Sequence, residues 1–409
     1  MKICLFTENY IQGGVDTFLK NILESWPNKE DEFVLLINYN HPSIRKFSSI
    51  QNVKLKIVEY NYLICESWFN GGALQKLENS FVLFAYKLFI ALFKHITLPY
   101  YVFRIYFLLK DYKNFALMSI NGGYPGSLFC RLASIIPATV WKKRVIHNFH
   151  SHAILKNNSL SLIDLFLDFY IKNRKIYFVS VSKSCIESLK RRLNCFEGNY
   201  KTISNGIKDP FPNLRNIPKN RKKKEKYLLM LATFHAYKGH EFLLKSFKNL
   251  LKLSPDVKLK IFGDGSESDR NRILRMIEEL GFINEVELNH FKDDVHDLIS
   301  NALVVVVPSQ KYESFGYVII EAFSRFVPVV ATNVGGIPEV LEHEKQGFIS
   351  NPDDTDSFGN YLFHLVTNEK LNQSMGDSGR KRFLHLFQAD KMAVEYYELL
   401  LELNKKNTT

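Results

Sequence analysis

Residues 302–340 read ALVVVVPSQKYESFGYVIIEAFSRFVPVVATNVGGIPEV. Two near-continuous apolar runs, LVVVVP and VPVVAT, bracket a helix-length segment, YVIIEAFSR. Strands buried on both faces carry such unbroken runs, and they occur in parallel sheets covered by helices. Each run ends in a polar turn before the next apolar segment begins. The stretch therefore reads as a strand–helix–strand–helix repeat of a parallel sheet. Within it, Glu313 and Glu321 flank the Phe315–Gly316 pair where strand gives way to helix. One glutamate at a helix head can cap it; a second, deep in an apolar helix, needs a chemical reason.

The same alternation continues on both sides. After residue 226 the strand-like runs KYLLMLAT, VKLKIFG and EVELNH are separated by the helical HEFLLKSFKNLLKL, SDRNRILRMIEELG and DVHDLISN. Before residue 208 the strand-like runs are KICLFTE, FVLLINY, VKLKIVEY, ALMSI, KRVIHNF, YFVSVS and KTIS. A glycine loop and the helical VDTFLKNILESW follow the first of them. Between the two arrays lies KDPFPNLRNIPKNRKKKEK (208–226), with three prolines, a basic run and no apolar period, which marks a linker. The pattern predicts an α/β protein of two doubly wound, Rossmann-like domains. Residues 1–207 form the first, 208–226 the basic linker and 227–388 the second, with a C-terminal helix at about 389–409 returning to the first. Ligands of such sheets bind beyond the carboxyl ends of the strands, and two facing sheets are expected to enclose an interdomain cleft.

The totals agree. A chain of 409 residues, 46% hydrophobic and 23% charged, suits two globular domains. Its net charge of +12 is uneven: residues 1–226 hold 34 Lys+Arg against 16 Asp+Glu, residues 227–409 hold 20 against 26. A basic half suits nucleic acid or anionic lipid; no aromatic–basic nucleic-acid module is recognisable, so nucleic acid is not expected. The five cysteines (Cys4, Cys65, Cys130, Cys185, Cys195) are scattered without metal spacing, as reduced cytosolic thiols would be. MKICLFTENY is too short in its apolar part for a secretory signal and is read as a first buried strand. The most apolar block, 80–109, is interrupted by Lys87, Lys94, Pro99 and Arg104, so it is not read as a membrane span.

Each distinctive polar cluster falls just after a predicted strand. ENYIQGG (8–14) brings Gly13 and Gly14 to a strand–helix turn, where backbone N–H groups can approach an anion. It is not GxGxxG, so a dinucleotide is not favoured. IHNFHSH (146–152) places three histidines after a strand without an accompanying carboxylate. A metal is not expected there; one histidine presented to a hydroxyl or a developing charge is. ATFHAYKGHEFL (232–243) sets Lys238 and Gly239 at a helix head, an arrangement that suits a phosphate or diphosphate. IFGDGSE (261–267) and NVGGIPEV (333–340) are further glycine turns after strands. Singly, each is also readable as a tight turn or a surface lysine; together, glycine-rich helix starts in both halves favour anion binding.

Taken in order, GGVDTF, VSVSKSCIESL, ISNGI, KGHEFL, FGDGSE, VVPSQKYESFGYVIIEA and ATNVGGIPEVL resemble the retaining GT-B glycosyltransferases of family 4, the glycosyl transferases group 1. The likeness runs over roughly residues 3–385, and the sugar transferases of O-antigen, capsule and exopolysaccharide assembly are the nearest in kind. The resemblance implies a nucleotide-diphosphate sugar as donor, a metal-independent reaction and no cofactor. It further implies catalytic roles for Glu313 beside the sugar, Lys238 on the leaving diphosphate and His150 near the sugar, with His147 as its rival. Donor-binding roles fall to Gly13, Gly14, Ser314, Phe315, Gly316, Gly263 and Asp264, and Glu321 is placed on the ribose. The sequence departs from the family in two places. Thr233 stands where a second diphosphate cation is usual, with His235 as a partial substitute, and Asn205-Gly206-Ile207 is followed by Lys208, displacing the acid to Asp209.

In similar enzymes the first domain takes the acceptor. Lys87 and Lys94, seven residues apart, share one face of an otherwise apolar helix, and Arg104 follows. That pattern suits an anionic membrane interface as well as a packed core with snorkelling lysines. The acceptor is accordingly expected to be a polyprenyl-diphosphate-linked glycan, and the protein a cytoplasmic one bound peripherally to the inner face of the cell membrane. The alternatives are a nucleotide-sugar epimerase or phosphorylase of the same fold, and a non-catalytic partner in glycan assembly.

Overall fold

The computed structural model describes residues 1–10, 12–61, 96–155, 162–194, 198–212 and 226–408. The chain separates into two compact units, Met1–Ile203 with Met392–Thr409, and Ser204–Lys391.

The first unit is built on β1 (Lys2–Thr7), β2 (Glu32–Asn38), β3 (Lys54–Tyr60), β4 (Ala116–Asn121), β5 (Val145–Phe149), β6 (Ile176–Ser180) and β7 (Asn199–Thr202). They form one parallel sheet in the order β3-β2-β1-β4-β5-β6-β7. From β1 the chain steps one way to β3, then crosses over and steps the other way to β7. Right-handed crossovers therefore place the helices of the two runs on opposite faces. On one face, helix Gly14–Glu24 packs Phe18, Leu19 and Ile22 against Tyr396, Leu399 and Leu400 of the C-terminal helix Ala389–Thr408. Tyr396 is fully buried and its hydroxyl accepts a hydrogen bond from Asn148 Nδ2 at 2.7 Å. The other face carries the helical segment 96–110 and helices Leu128–Thr139, Leu162–Ile171 and Lys183–Arg192.

The second unit repeats the plan with β8 (Tyr227–Leu231), β9 (Lys258–Phe262), β10 (Val286–Asn289), β11 (Val304–Val307), β12 (Val329–Thr332) and β13 (Gly347–Ser350). These too are parallel, in the order β10-β9-β8-β11-β12-β13. Every residue of β11 and β12 is buried, which is what their unbroken apolar runs require. Each sheet reverses its strand order once, between β1 and β4 in the first unit and between β8 and β11 in the second.

The chain enters the second unit at Ser204, ahead of the break at 207–208 read from the composition. Long-range pairings hold this strand-like entry in place. Ile207 bridges to Gln388, and the Asp209 carboxylate takes both terminal nitrogens of Arg380 at 2.6 and 2.8 Å. Most of the basic linker, residues 213–225, lies outside the described residues, as do Lys87, Lys94, Cys65 and Cys195. No helix among the described residues is long and apolar enough to cross a membrane.

Candidate active site

In an open parallel sheet the strand-order reversal leaves a crevice beyond the strand ends, because the flanking loops turn away to opposite faces. In the second unit this crevice lies beyond β8 and β11, and three loops meet there. The β8 loop turns through a short 3-10 helix, Ala236–Lys238, into Gly239 and helix His240–Leu251. The β11 loop runs from Pro308 to Gly316 and opens helix Tyr317–Ser324.

Backbone contacts lock these loops together. Gln310 N–H donates to Tyr237 O at 2.7 Å, and Gly336 N–H, from the loop after β12, donates to Glu313 O at 2.8 Å. Gly239 has φ +82°, and a Cβ there would sit 1.8 Å from Pro308 O, so the approach of the two loops admits only glycine. Gly316, at φ +88°, turns the chain into its helix on the same principle.

The result is a pocket of about 200 Å³ lined by Ala232, Lys238, Ser309, Glu313, Gly316 and Tyr317, among others. Small-molecule sites more usually measure roughly 300–1,000 Å³, so this one has room for only part of an extended molecule. Lys238 Nζ stands 2.8 Å from Glu313 Oε2, which also accepts from Ser309 Oγ at 3.2 Å. Both charged side chains are largely shielded from solvent, at 21% and 15% exposure, so neither charge is screened as a surface pair would be. Lys238 immediately precedes Gly239, the N-cap of helix His240–Leu251, whose dipole adds positive potential at that end.

Glu321 lies in the apolar helix Tyr317–Ser324. Burial pushes its carboxyl above the ordinary range, and the guanidinium of Arg325, one turn on, opposes that shift. Arg325 is itself held by Ser324 Oγ at 2.8 Å and by His296 Nδ1 at 2.5 Å. Phe315 is buried between Tyr317 and Phe387, which fixes the backbone of Ser314–Gly316. Gly263 permits another close approach, since a Cβ there would lie 1.9 Å from Ala232 O. Asp264 accepts Phe234 N–H through its carbonyl at 2.9 Å, and its exposed carboxylate faces His290 Nδ1 at 3.1 Å.

The departure at Thr233 is visible in space: its side chain is exposed and carries no charge. His235 is also exposed, stacked on Tyr237 and 4.0 Å from Asp269. Arg272 donates to Phe234 O at 2.9 Å and pairs with Asp269 at 3.5 Å, so a cation does stand against the β8 loop. Sequence reading missed Arg272, Arg325 and Ser309. An arginine on an amphipathic helix carries no local signal of what it will touch, whereas Ser309 could have been found from its place directly after a buried strand.

The remaining candidates are spread more widely. Asn205 belongs to the second unit and is buried, with no partner for its side-chain oxygen among the described residues. In the first unit, Gly13 N–H already donates to the Asp16 carboxylate at 2.9 Å. A Cβ on Gly13 would meet nothing within 4 Å, so the fold itself does not demand glycine there. Gly14 begins helix Gly14–Glu24. His150, just past the end of β5, packs at a tilt against Phe18 with ring centroids 4.4 Å apart, and neither of its ring nitrogens has a partner among the described residues. Burial lowers its pKa to about 3, so the ring is neutral. His147 is instead a core residue. Its Nδ1 lies 2.8 Å from Ser134 Oγ, its ring packs between Tyr124 and Phe178, and burial with the charge of Arg131 also lowers its pKa to about 3. Arg104 is exposed, over the ring of Tyr100 at 6.0 Å.

Comparison with known proteins adds the family. The model for "Glycosyl transferases group 1" matches residues 214–382. N-acetyl-alpha-D-glucosaminyl L-malate synthase of Bacillus anthracis is 30% identical over 172 residues, 42% of this chain and 44% of that protein. The capsular polysaccharide biosynthesis glycosyltransferase CapM of Staphylococcus aureus is 30% identical over 158 residues, 37% of this chain and 40% of CapM. The chain thus matches somewhat less than half the length of these relatives. Among solved structures, Anabaena HepE in complex with UDP-glucose superposes with a TM-score of 0.69 at 16% identity, covering 98% of this chain and all of that one. Residues 214–382 thus carry the signature of the glycosyl transferases group 1, and the chain as a whole has the GT-B fold.

Proposed function

We propose that the protein is a retaining glycosyltransferase that moves a sugar from a nucleotide-diphosphate sugar to a growing, lipid-linked surface glycan. The observation that carries this reading is the Lys238–Glu313 pair, held at 2.8 Å over the pocket where the second sheet reverses its order. Transfer breaks the bond from the anomeric carbon to the diphosphate and forms one to an acceptor oxygen. Negative charge grows on the departing diphosphate and positive charge on the ring. Lys238 and the head of helix His240–Leu251 suit the first charge, and the Glu313 carboxylate suits the second. In the unliganded protein these two groups neutralise each other; a bound diphosphate draws the ammonium away and leaves the carboxylate to the sugar.

Other residues have supporting roles. The half-buried Glu321 side chain, with the guanidinium of Arg325 favouring its charged form, suits ribose hydroxyls. The neutral ring of His150, whose two nitrogens have no partner among the described residues, suits hydrogen bonding to a sugar hydroxyl and not charge pairing. Gly316 offers backbone beside the pocket, and Arg272 supplies part of the cationic field that Thr233 lacks. A lysine and a helix dipole supply the charge that a divalent metal would otherwise provide, so we infer a metal-independent reaction. The surface-glycan acceptor follows CapM, and the nucleotide-sugar donor follows HepE. A lipid-linked acceptor and peripheral attachment to the inner face of the cell membrane accord with the basic, apolar character of residues 80–109, including Lys87, Lys94 and Arg104.

The test is a panel of nucleotide sugars with a membrane extract, with and without EDTA. Transfer or slow donor hydrolysis that survives EDTA, with the anomeric configuration retained, is expected for one donor. A soluble isomerised or phosphorolysed product would assign an epimerase or phosphorylase instead, and donor binding without turnover would assign a non-catalytic role.

A further inference from the structure

Helix Leu162–Ile171, LIDLFLDFYI, has its amphipathicity reversed. Its two carboxylates are turned to protein partners: Asp164 pairs with the buried Arg131 at 2.7 Å, and Asp168 is buried beside Arg192 at 3.3 Å and Tyr124 Oη at 2.6 Å. Ile163, Leu167 and Ile171, spaced by one turn, fill the inner stripe. The outer face is Leu165, Phe166, Phe169 and Tyr170, with Phe166 51% and Phe169 73% exposed. A water-facing helix surface would place the acids outside and the phenylalanines within.

The helical segment 96–110 shows the same design. Tyr101, Ile105 and Leu109 are buried, again one turn apart, while Ile96, Tyr100, Phe103 and Phe107 are exposed, Phe103 by 64%. Both segments flank helix Leu128–Thr139, which is buried from Leu128 through Ala138. Tyr101 meets Phe129 edge-on with ring centroids 5.0 Å apart, and Asp164 binds Arg131. At 100° per residue, Phe129 and Arg131 point to nearly opposite sides of that helix, so the two segments lie on its two flanks. All three belong to the run of crossovers from β3 to β6, and hence to one face of the first sheet.

Cations accompany these apolar faces. Exposed Arg104 and Lys110 lie over the rings of Tyr100 and Phe107 at 6.0 and 4.7 Å, and exposed Lys172 and Arg174 follow directly on Tyr170. The charge of the unit agrees. Residues 1–203 and 392–409 hold 28 Lys+Arg against 17 Asp+Glu, whereas residues 204–391 hold 26 against 25. Aromatic side chains rimmed by cations match the headgroup region of an anionic bilayer, where rings enter the acyl boundary and cations meet phosphates. A protein partner's apolar core would exclude those cations.

We propose that helix Leu162–Ile171 and segment 96–110 together form a membrane-docking face, with Phe166 and Phe169 as its inserting anchors. The inference rests on the lipid-linked acceptor proposed above and extends it to a helix on which sequence reading placed no role. The experiment is flotation of the full chain with phosphatidylcholine vesicles containing about 30% phosphatidylglycerol, compared with phosphatidylcholine alone. Wild type is expected to float with the anionic vesicles only, and less at high salt. The double variant F166S/F169S should lose at least about tenfold in partitioning, since two exposed phenylalanines no longer insert. In F169W, tryptophan emission should shift to the blue on addition of anionic vesicles. Nucleotide-sugar hydrolysis without vesicles should be unchanged in F166S/F169S. Equal flotation of wild type and double variant overturns the proposal. So does a dimer that F166S/F169S converts to monomer without vesicle binding, which would make a second copy of the chain the occupant. Flotation without any donor turnover removes the transferase reading and leaves the docking face standing.

Discussion

Gly239→Ala isolates how the two loops of the second unit hold Lys238 and Glu313 together. Gly239 has φ +82°, a conformation that costs a residue with a Cβ about 1–2 kcal/mol. The added Cβ would fall 1.8 Å from Pro308 O, a backbone atom that no rotamer change can move. Relief requires the β8 and β11 loops to part, giving up the 2.7 Å bond from Gln310 N to Tyr237 O, worth about 1 kcal/mol net. The total is about 2–3 kcal/mol. Gly281→Ala is the control: φ is +75° but nothing lies within 4 Å of the new Cβ, so only the conformational cost of about 1–2 kcal/mol remains. Native-state hydrogen exchange of the β8 and β11 amides measures both on the full chain. Gly239→Ala should lower their protection by about 1 kcal/mol more than Gly281→Ala does, and should weaken donor binding, which Gly281→Ala should not. Equal protection in the two variants would refute the loop-clamp argument.

Asp209→Ala leaves the buried guanidinium of Arg380 without its carboxylate, and a loss of about 3 kcal/mol is expected as a lower urea midpoint for the second unit. His147 and His150 are held to pKa values of about 3 against an ordinary 6.5, so their contribution is full above pH 6.5 and is lost as the pH falls from there toward 3. His150→Phe should reduce that acid sensitivity by one proton, up to about 1.36 kcal/mol per pH unit. Tryptophan fluorescence reads it, since Trp26, Trp68 and Trp141 all lie in residues 1–203; an unchanged pH slope would show that His150 is not buried neutral. Gly13→Ala should leave stability within about 0.5 kcal/mol, because its Cβ position is open, yet slow transfer if a ligand approaches that backbone.

The second sheet was legible in the sequence because β11 and β12 are buried on both faces and so read as apolar runs, with Thr332 alone polar at the end of β12. Lys238 and Glu313 were legible because each lies in the loop that follows a strand, and the loops beyond strand ends are where such sheets gather ligand-binding side chains. What stayed hidden depends on contacts distant in sequence. The partner of Asp209 is Arg380, and nothing near either residue announces the pairing. His147 and His150 differ by where β5 stops: inside the strand alternation buries His147 against Ser134, and one residue past Phe149 the chain turns His150 toward Phe18. Helix Leu162–Ile171 misleads most. Asp164 and Asp168, four apart, mark what looks like a solvent stripe, and only buried arginines from other helices turn that stripe inward.

The central claim is that the pocket beyond β8 and β11 binds the diphosphate of a sugar donor through Lys238. Isothermal titration of the full chain with nucleotide-diphosphate sugars tests it most directly, with Lys238→Met beside wild type. One donor should bind wild type, and Lys238→Met should weaken it by about 10–100-fold, the worth of a charge-assisted contact in a shielded site. Binding of equal strength by both proteins would contradict the claim.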